Sequence, residues 1–228
     1  MKSRVSALLL AAGRGERLRL GKNKILAEIG GKPVLAYSLA TLNEHPAVCE
    51  IIIAAAAGEE AEVRSIAAPF HKAVKIVTGG ITRQDSVALA FAKVANNAEL
   101  VAIHDAARAL LTAEDLNRVL TAAEKTGAAI LCTTVKDTIK QLSEDGQIAA
   151  TVPRELLLAA QTPQVFARAL YGEALLKAAL NNIRATDDAG LIEALGKTVT
   201  PVMSHDENLK ITTASDFLLA ELIISKRR

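Results

Sequence analysis

A chain of 228 residues, half of them hydrophobic, can bury a sizeable core without metals or disulfides. Its formal net charge of +2 argues against nucleic acid or a charged membrane surface as the main partner. The two cysteines, Cys49 and Cys132, sit in separate apolar runs and read as buried free thiols; Lys2 and Arg4 interrupt the start, and no stretch has the length and purity of a membrane span, so a cytoplasmic protein is expected.

Short aliphatic runs alternate with helical patterns. Val5 to Leu10 predicts a strand buried on both faces, ending in a glycine-rich loop. Apolar residues at helical spacing predict a helix over Pro33 to Glu44, with Pro33 at its start. Val48 to Ala55 reads as a strand, Glu59 to Ala68 as a helix, and Val74 to Val77 as a strand stopping at Thr78-Gly79-Gly80. A helix over Thr82 to Val94 and a strand over Leu100 to Ile103 follow. Thr112 opens a helix with Asp115 three residues on, a loose capping arrangement. Ala128 to Thr133 reads as a strand, Arg168 to Leu180 as a helix, Thr198 to Met203 as a strand, and Ala214 to Ile224 as a last helix.

The alternation predicts an α/β, Rossmann-like, mostly parallel sheet with helices on both faces. One segment departs from it. Thr134 to Arg154 has β-branched residues on either side of Ser143-Glu144-Asp145-Gly146 and predicts a β-hairpin around an Asp-Gly turn. An isolated two-stranded hairpin is marginal in water, so this arm, at about residues 134–154, is expected to pack on a second subunit and make a homodimer. Residues 1–228 read as one domain carrying that arm.

Ligands of such sheets bind beyond the carboxyl ends of the strands, where glycine and charge cluster here. The loop after the first strand runs Leu10-Ala11-Ala12-Gly13-Arg14-Gly15-Glu16-Arg17-Leu18, followed by Arg19, Lys22 and Lys24. A dinucleotide fingerprint would need Gly or Ala where Leu18 stands, and a Walker A loop would need Gly-Lys-Ser/Thr. A nucleotidyltransferase loop needs small residues for close backbone approach to a triphosphate, and cations where charge develops at its α-phosphorus. Arg17 and Lys24 suit that task.

Other constellations also have plain readings. Gly79-Gly80-Ile81-Thr82 could be a routine turn capped by Thr82. His104-Asp105-Ala106-Ala107-Arg108, at a strand end, could hold a structural ion pair. None of the four histidines is paired at metal-ligand spacing.

Leu-Ala-Ala-Gly-x-Gly-x-Arg with a lysine seven residues on resembles the signature of sugar-phosphate nucleotidyltransferases. Within them the chain is similar to the cytidylyltransferases that make 4-diphosphocytidyl-2-C-methylerythritol in the non-mevalonate isoprenoid route. Later motifs continue the likeness in order: Gly79-Gly80-x-x-Arg83-x-x-Ser86, His104-Asp105-Ala106-Ala107-Arg108, Thr151-Val152-x-Arg154, Gln161-Thr162-Pro163-Gln164, Thr186-Asp187-Asp188 and Asn208-x-Lys210-Ile211-Thr212. Asn23 stands where the family usually has Pro, and Ile81 where it often has Asp.

The resemblance implies transfer of CMP from CTP to a phosphorylated sugar alcohol, most specifically 2-C-methyl-D-erythritol 4-phosphate, with Mg2+ held mainly by the triphosphate. It implies that Ala11, Ala12, Gly13, Gly15, Gly80, Ser86 and Asp105 meet the nucleotide, and that Asp105, Arg108, Thr138, Arg154, Thr162, Thr186 and Lys210 meet the sugar phosphate. Asp105 is the one candidate in the metal shell. Arg17, Lys24, Arg154 and Lys210 are the candidate catalytic cations, Arg154 and Thr138 reaching a neighbouring subunit's site along the arm. His104 is not needed as a general base, because a phosphate monoester is already largely ionised near neutral pH. The alternatives left open are a ribitol 5-phosphate or other polyol-phosphate cytidylyltransferase, an NAD-binding oxidoreductase, and an inactive homologue on the same fold.

Overall fold

The computed structural model describes residues 3–13 and 23–227. In chain order the elements are β1 (Val5–Ala11), β2 (Glu28–Ile29), β3 (Lys32–Pro33), α1 (Val34–Glu44), β4 (Val48–Ala55), α2 (Glu60–Ala67), β5 (Ala73–Thr78), α3 (Arg83–Phe91), β6 (Leu100–Asp105), α4 (Ala113–Thr126), β7 (Ala128–Thr134), β8 (Ile139–Leu142), β9 (Ile148–Val152), β10 (Leu158–Ala167), α5 (Arg168–Leu180), α6 (Ala189–Ala194), β11 (Thr200–Met203) and α7 (Ala214–Lys226).

Seven strands form one sheet in the order β11-β7-β10-β6-β1-β4-β5. The pairs β1·β4, β1·β6, β4·β5 and β11·β7 are parallel, while β10 runs antiparallel to both β6 and β7. Side chains alternate between the two faces, as the pleat requires. Ala7, Leu9, Ile51 and Ile53 join the core under α1, α2 and α4. Leu8, Ile52, Val101 and Ile103 join the core under α3, α5 and α6. Both faces of β1 and β4 are therefore dry, which is why these strands read as unbroken aliphatic runs. A third cluster seats α7 on Ile29, Val34 and Leu110.

Helix starts follow local chemistry. Thr82 and Thr213 each accept from the backbone N–H three residues on, while Asp85 and Asp216 reach back to the cap, making capping boxes for α3 and α7. Thr112 accepts from the Asp115 N–H at the start of α4 without the reciprocal bond, and Gly127, at φ 82°, ends the helix in the left-handed conformation.

The predicted hairpin is present. β8 and β9 pair with each other in a separate two-stranded sheet, with Gly146 at φ 80° in the turn. Four further elements, β2, β3, β10 and α6, were not expected from periodicity. β10 carries Pro163, which normally argues against a central strand. Its pairing with β7 is interrupted between Ala160 and Gln164, so the proline falls where no ladder bond is required of it.

Candidate active site

The carboxyl ends of β1, β5 and β6 open onto one cavity of about 780 Å³. Ala11, Ala12 and Gly13 form one edge, and Lys24 lies beside them. Gly80, Ile81, Thr82 and Ser86 form a second wall, and Asp105 and Lys210 stand at the far side with Arg83 and Thr212.

Two glycines make the second wall possible. A Cβ on Gly79 would lie 2.4 Å from the Ala12 Cβ, and one on Gly80 would lie 2.5 Å from the Asp85 Cβ. The turn after β5 is thus packed directly against the loop after β1. Ser86 braces it: its hydroxyl accepts from the Gly80 N–H at 3.0 Å and donates to the Thr82 carbonyl at 3.0 Å.

Asp105 is the electrostatic centre. Lys210 Nζ lies 2.6 Å from its Oδ2, and Arg83 Nε lies 3.4 Å from its Oδ1. Burial alone would raise the Asp105 pKa, but the charges of Arg83 and Lys210 more than offset it and bring it down to about 2. Arg83 also places Nη1 2.7 Å from Asp188 Oδ2, an ion pair whose angle falls short of a hydrogen bond. Tyr171 donates to the other Asp188 oxygen at 2.5 Å. A chain of alternating charges therefore runs from Lys210 at the pocket through Asp105 and Arg83 to Asp188 in the core.

Behind Asp105 the network is neutral. The Asp105 N–H donates to Thr162 Oγ1 at 3.0 Å, which leaves the threonine proton for His104 Nδ1 at 2.9 Å. Nδ1 is then an acceptor, and Nε2 carries the ring proton toward the Arg108 carbonyl at 3.3 Å. Burial, the largest influence on His104, holds its pKa down to about 4, so the ring is uncharged at neutral pH.

Lys210 is positioned from both sides. Asn208, fully buried, donates to Gln161 Oε1 at 2.9 Å and to the Thr162 carbonyl at 3.0 Å, and its own carbonyl accepts from Arg108 Nη1 at 2.7 Å. The Ile211 N–H donates to the Ala107 carbonyl at 2.9 Å. The lysine thus projects from a short segment clamped to β10 and to the loop after β6.

Of the residues predicted from sequence, Ala11, Ala12, Gly13, Lys24, Gly80, Ser86, Asp105 and Lys210 line the cavity together. Gly15 and Arg17, with Arg14, Arg19 and Lys22, lie outside the described residues. Thr162 and Arg108 stand behind the wall: the Thr162 hydroxyl serves Asp105 and His104, and the Arg108 guanidinium fastens Asn208 and β10. Thr186 is exposed and is not among the described lining residues. Thr138 and Arg154 are exposed on the arm, away from this cavity, with Arg154 Nη1 donating to the Lys136 carbonyl at 3.0 Å.

Arg83, Asp188 and Asn208 were not assigned a role from the sequence. Arg83 did carry a signal. A cation in the first turn of a helix opposes the helix dipole, and here it is held by two carboxylates instead.

Among the described residues no three His, Cys, Asp or Glu side chains come together as a metal cluster. Asp105 is the one carboxylate among the described lining residues, and it is ionised. That donor set fits magnesium, which keeps several waters and takes much of its shell from substrate phosphates. No described helix is long and apolar enough to cross a membrane.

Comparison with known proteins converges on one family. The family model for IspD, 2-C-methyl-D-erythritol 4-phosphate cytidylyltransferase, matches residues 5–226. The chain is 42% identical over 222 residues to the 2-C-methyl-D-erythritol 4-phosphate cytidylyltransferase of Symbiobacterium thermophilum, covering 97% of this chain and 93% of that protein. It is 42% identical over 224 residues to the enzyme of the same name from Halalkalibacterium halodurans, covering 97% of each. Among solved structures, 4-diphosphocytidyl-2C-methyl-D-erythritol synthase from Anaerococcus prevotii superposes with a TM-score of 0.89 at 28% identity, covering 99% of this chain and 100% of that one. The 2-C-methyl-D-erythritol 4-phosphate cytidylyltransferase of Thermus thermophilus superposes with a TM-score of 0.80 at 33% identity, over the same shares. Matched by the family model over residues 5–226 and by these relatives along nearly its whole length, the chain belongs to the 2-C-methyl-D-erythritol 4-phosphate cytidylyltransferase family.

Proposed function

We propose that this cavity binds CTP and transfers its CMP moiety to the phosphate of 2-C-methyl-D-erythritol 4-phosphate, supplying isoprenoid precursor synthesis. An oxygen of the acceptor phosphate bonds to the α-phosphorus of CTP, and the bond from that phosphorus to the bridging oxygen breaks. Pyrophosphate leaves with the electron pair, and the product is 4-diphosphocytidyl-2-C-methyl-D-erythritol. The observation that carries this reading is the convergence of Lys24, Arg83, Asp105 and Lys210 on one cavity at the strand ends.

The base and ribose lie against Gly80 and Ser86, where a glycine turn offers backbone groups to a base edge. The triphosphate lies along Ala11, Ala12 and Gly13. Lys24, with Arg17 and Gly15 from the loop, steadies the charge that grows on the α-phosphate and on the departing pyrophosphate. Lys210 holds the acceptor phosphate in line, and Asp105 orients the sugar hydroxyls. Magnesium, when bound with the triphosphate, neutralises phosphate charge, and Asp105 is the side chain that would meet it. Arg108 and Thr162 act on substrate through the residues they brace. Catalysis is positioning and electrostatics, with no covalent enzyme intermediate.

The arm completes the site in a second copy. Leu142 and Ile148, on its two strands, are 61% and 64% exposed, apolar surface that a two-stranded hairpin does not keep in water alone. A homodimer would cover it and bring the partner subunit's Thr138 and the partner subunit's Arg154 to the acceptor phosphate.

Pyrophosphate release tests this reading. CTP with 2-C-methyl-D-erythritol 4-phosphate is expected to release it, and ATP, GTP or UTP to release at least about tenfold less. Turnover with ribitol 5-phosphate instead would reassign the acceptor. Binding of CTP without release from any sugar phosphate would make the chain an inactive homologue.

A further inference from the structure

The structure assigns Asn23 as a positioning residue for Lys24, an inference that rests on the reading of Lys24 as the cation at the transferring phosphate. Asn23 is 3% exposed, and both ends of its side-chain amide are in use. Its Oδ1 accepts from the Ile25 N–H at 3.3 Å, capping the 3-10 turn Lys24–Leu26. Its Nδ2 donates to the Ala11 carbonyl at 3.2 Å and to Glu59 Oε2 at 2.7 Å.

Each contact belongs to a different element. Ala11 ends β1 and lines the cavity. Glu59 immediately precedes α2. The 3-10 turn begins with Lys24 and is rooted in the core by Ile25 and Leu26, at 2% and 4% exposure. One amide therefore ties the cavity edge, the start of a helix and the turn that carries the lysine.

Capping alone does not require this. A cap needs only an acceptor, which Ser, Thr or Asp supplies equally well. The two additional donor contacts need a primary amide, and they fix the turn relative to Ala11 and not merely its internal shape. Displacing a catalytic group by about 1 Å can cost roughly a hundredfold in rate, so pins of this kind act on turnover as well as on folding.

The test is a double-variant cycle, with kcat and KM measured for CTP and 2-C-methyl-D-erythritol 4-phosphate and thermal melting recorded alongside. Asn23→Asp keeps the cap but sets a second carboxylate against Glu59, and is expected to lower kcat at least about tenfold while KM for the sugar phosphate stays within about threefold. Glu59→Gln alone is expected to stay within about twofold of the unmodified enzyme, because its amide carbonyl still accepts. In the double variant the glutamine amide donates to the carboxylate introduced at position 23 while the Ala11 carbonyl stays without its donor, so part of the lost kcat is expected to return. An Asn23→Asp enzyme within about twofold of normal kcat, or a double variant no faster than Asn23→Asp, overturns the inference. Lys24→Ala separates the two readings. An inactive Lys24→Ala beside a fully active Asn23→Asp removes only the role of Asn23, whereas a fully active Lys24→Ala removes the reading of Lys24 and this inference with it. Should Asn23→Asp not fold, Glu59→Ala carries the test, with a fall in kcat of about threefold expected and an unchanged kcat overturning the proposal.

Discussion

Asp188 is an acid placed where water does not reach, at 2% exposure. Burial pushes its pKa up, while Arg83 and the Tyr171 hydroxyl favour its ionised form. Removing one hydroxyl tests that balance. Tyr171→Phe is expected to lower the unfolding free energy by about 2 kcal/mol, the usual cost of losing a hydrogen bond to a buried charged group, and a urea melt reads it directly. An unchanged midpoint would show that Arg83 suffices alone. His104 gives a second test at this scale. Its folded pKa of about 4 lies below its ordinary 6.5, so between those values the unfolded chain binds the proton more readily. The stabilisation is complete above pH 6.5 and is lost progressively as pH falls toward 4, to a total of about 3 kcal/mol. Unfolding free energies measured from about pH 7 to about pH 4 should slope accordingly in the parent, and His104→Gln should remove that part of the slope.

The strands and helices that bury apolar faces were readable from pattern alone. Val48–Ala55 and Arg168–Leu180 have the bounds that periodicity predicts, because a dry strand and a helix packed on one side must write their burial into the sequence. β10 was not readable. Leu158–Ala167 contains Gln161, Thr162, Pro163 and Gln164, a polar, proline-bearing run of the kind that usually marks a loop. It is buried in the sheet because those polar groups are satisfied by distant residues: Gln164 by Asp187 and the N–H groups of Asp188 and Ala189, Thr162 by His104 and Asp105. Long-range hydrogen bonds leave no periodic trace. The glycine pair after β5 was legible as a turn, but its close approach to Ala12 was not, since contact across the sheet depends on strand order. Gly79→Ala is expected to push Ala12 out of place, raising KM for CTP by about tenfold and lowering the melting temperature by several degrees. Steady-state kinetics with a parallel melt would show both, and an unaltered KM would mean that the turn yields without moving the cavity edge.

Taken as a molecule, the site is divided between two kinds of support. The end proposed for the nucleotide rests on parallel strands, whose alternation with helices is legible in the sequence though their order in the sheet is not. The end proposed for the acceptor rests on β10, since Asp105 leans on Thr162 and the Lys210 segment is fastened to Gln161 and Thr162 through Asn208. Candidate residues could therefore be named from motifs, but not sorted into those that touch the cavity and those that hold others in place. Thr162 and Arg108 went to the second group, and Arg83 joined the first.

The exposed hairpin has a consequence for mixtures. If Arg154 serves its neighbour's cavity, a copy lacking Lys24 still lends a good arm, and a copy lacking Arg154 still offers a good cavity. Lys24→Ala and Arg154→Ala proteins, each nearly inactive, would then revive one another when unfolded together and allowed to reassemble. Random pairing makes half the dimers mixed, each with one whole site of two, so roughly a quarter of normal turnover should return. Two such proteins that stay inert after co-refolding would mean that each copy works alone.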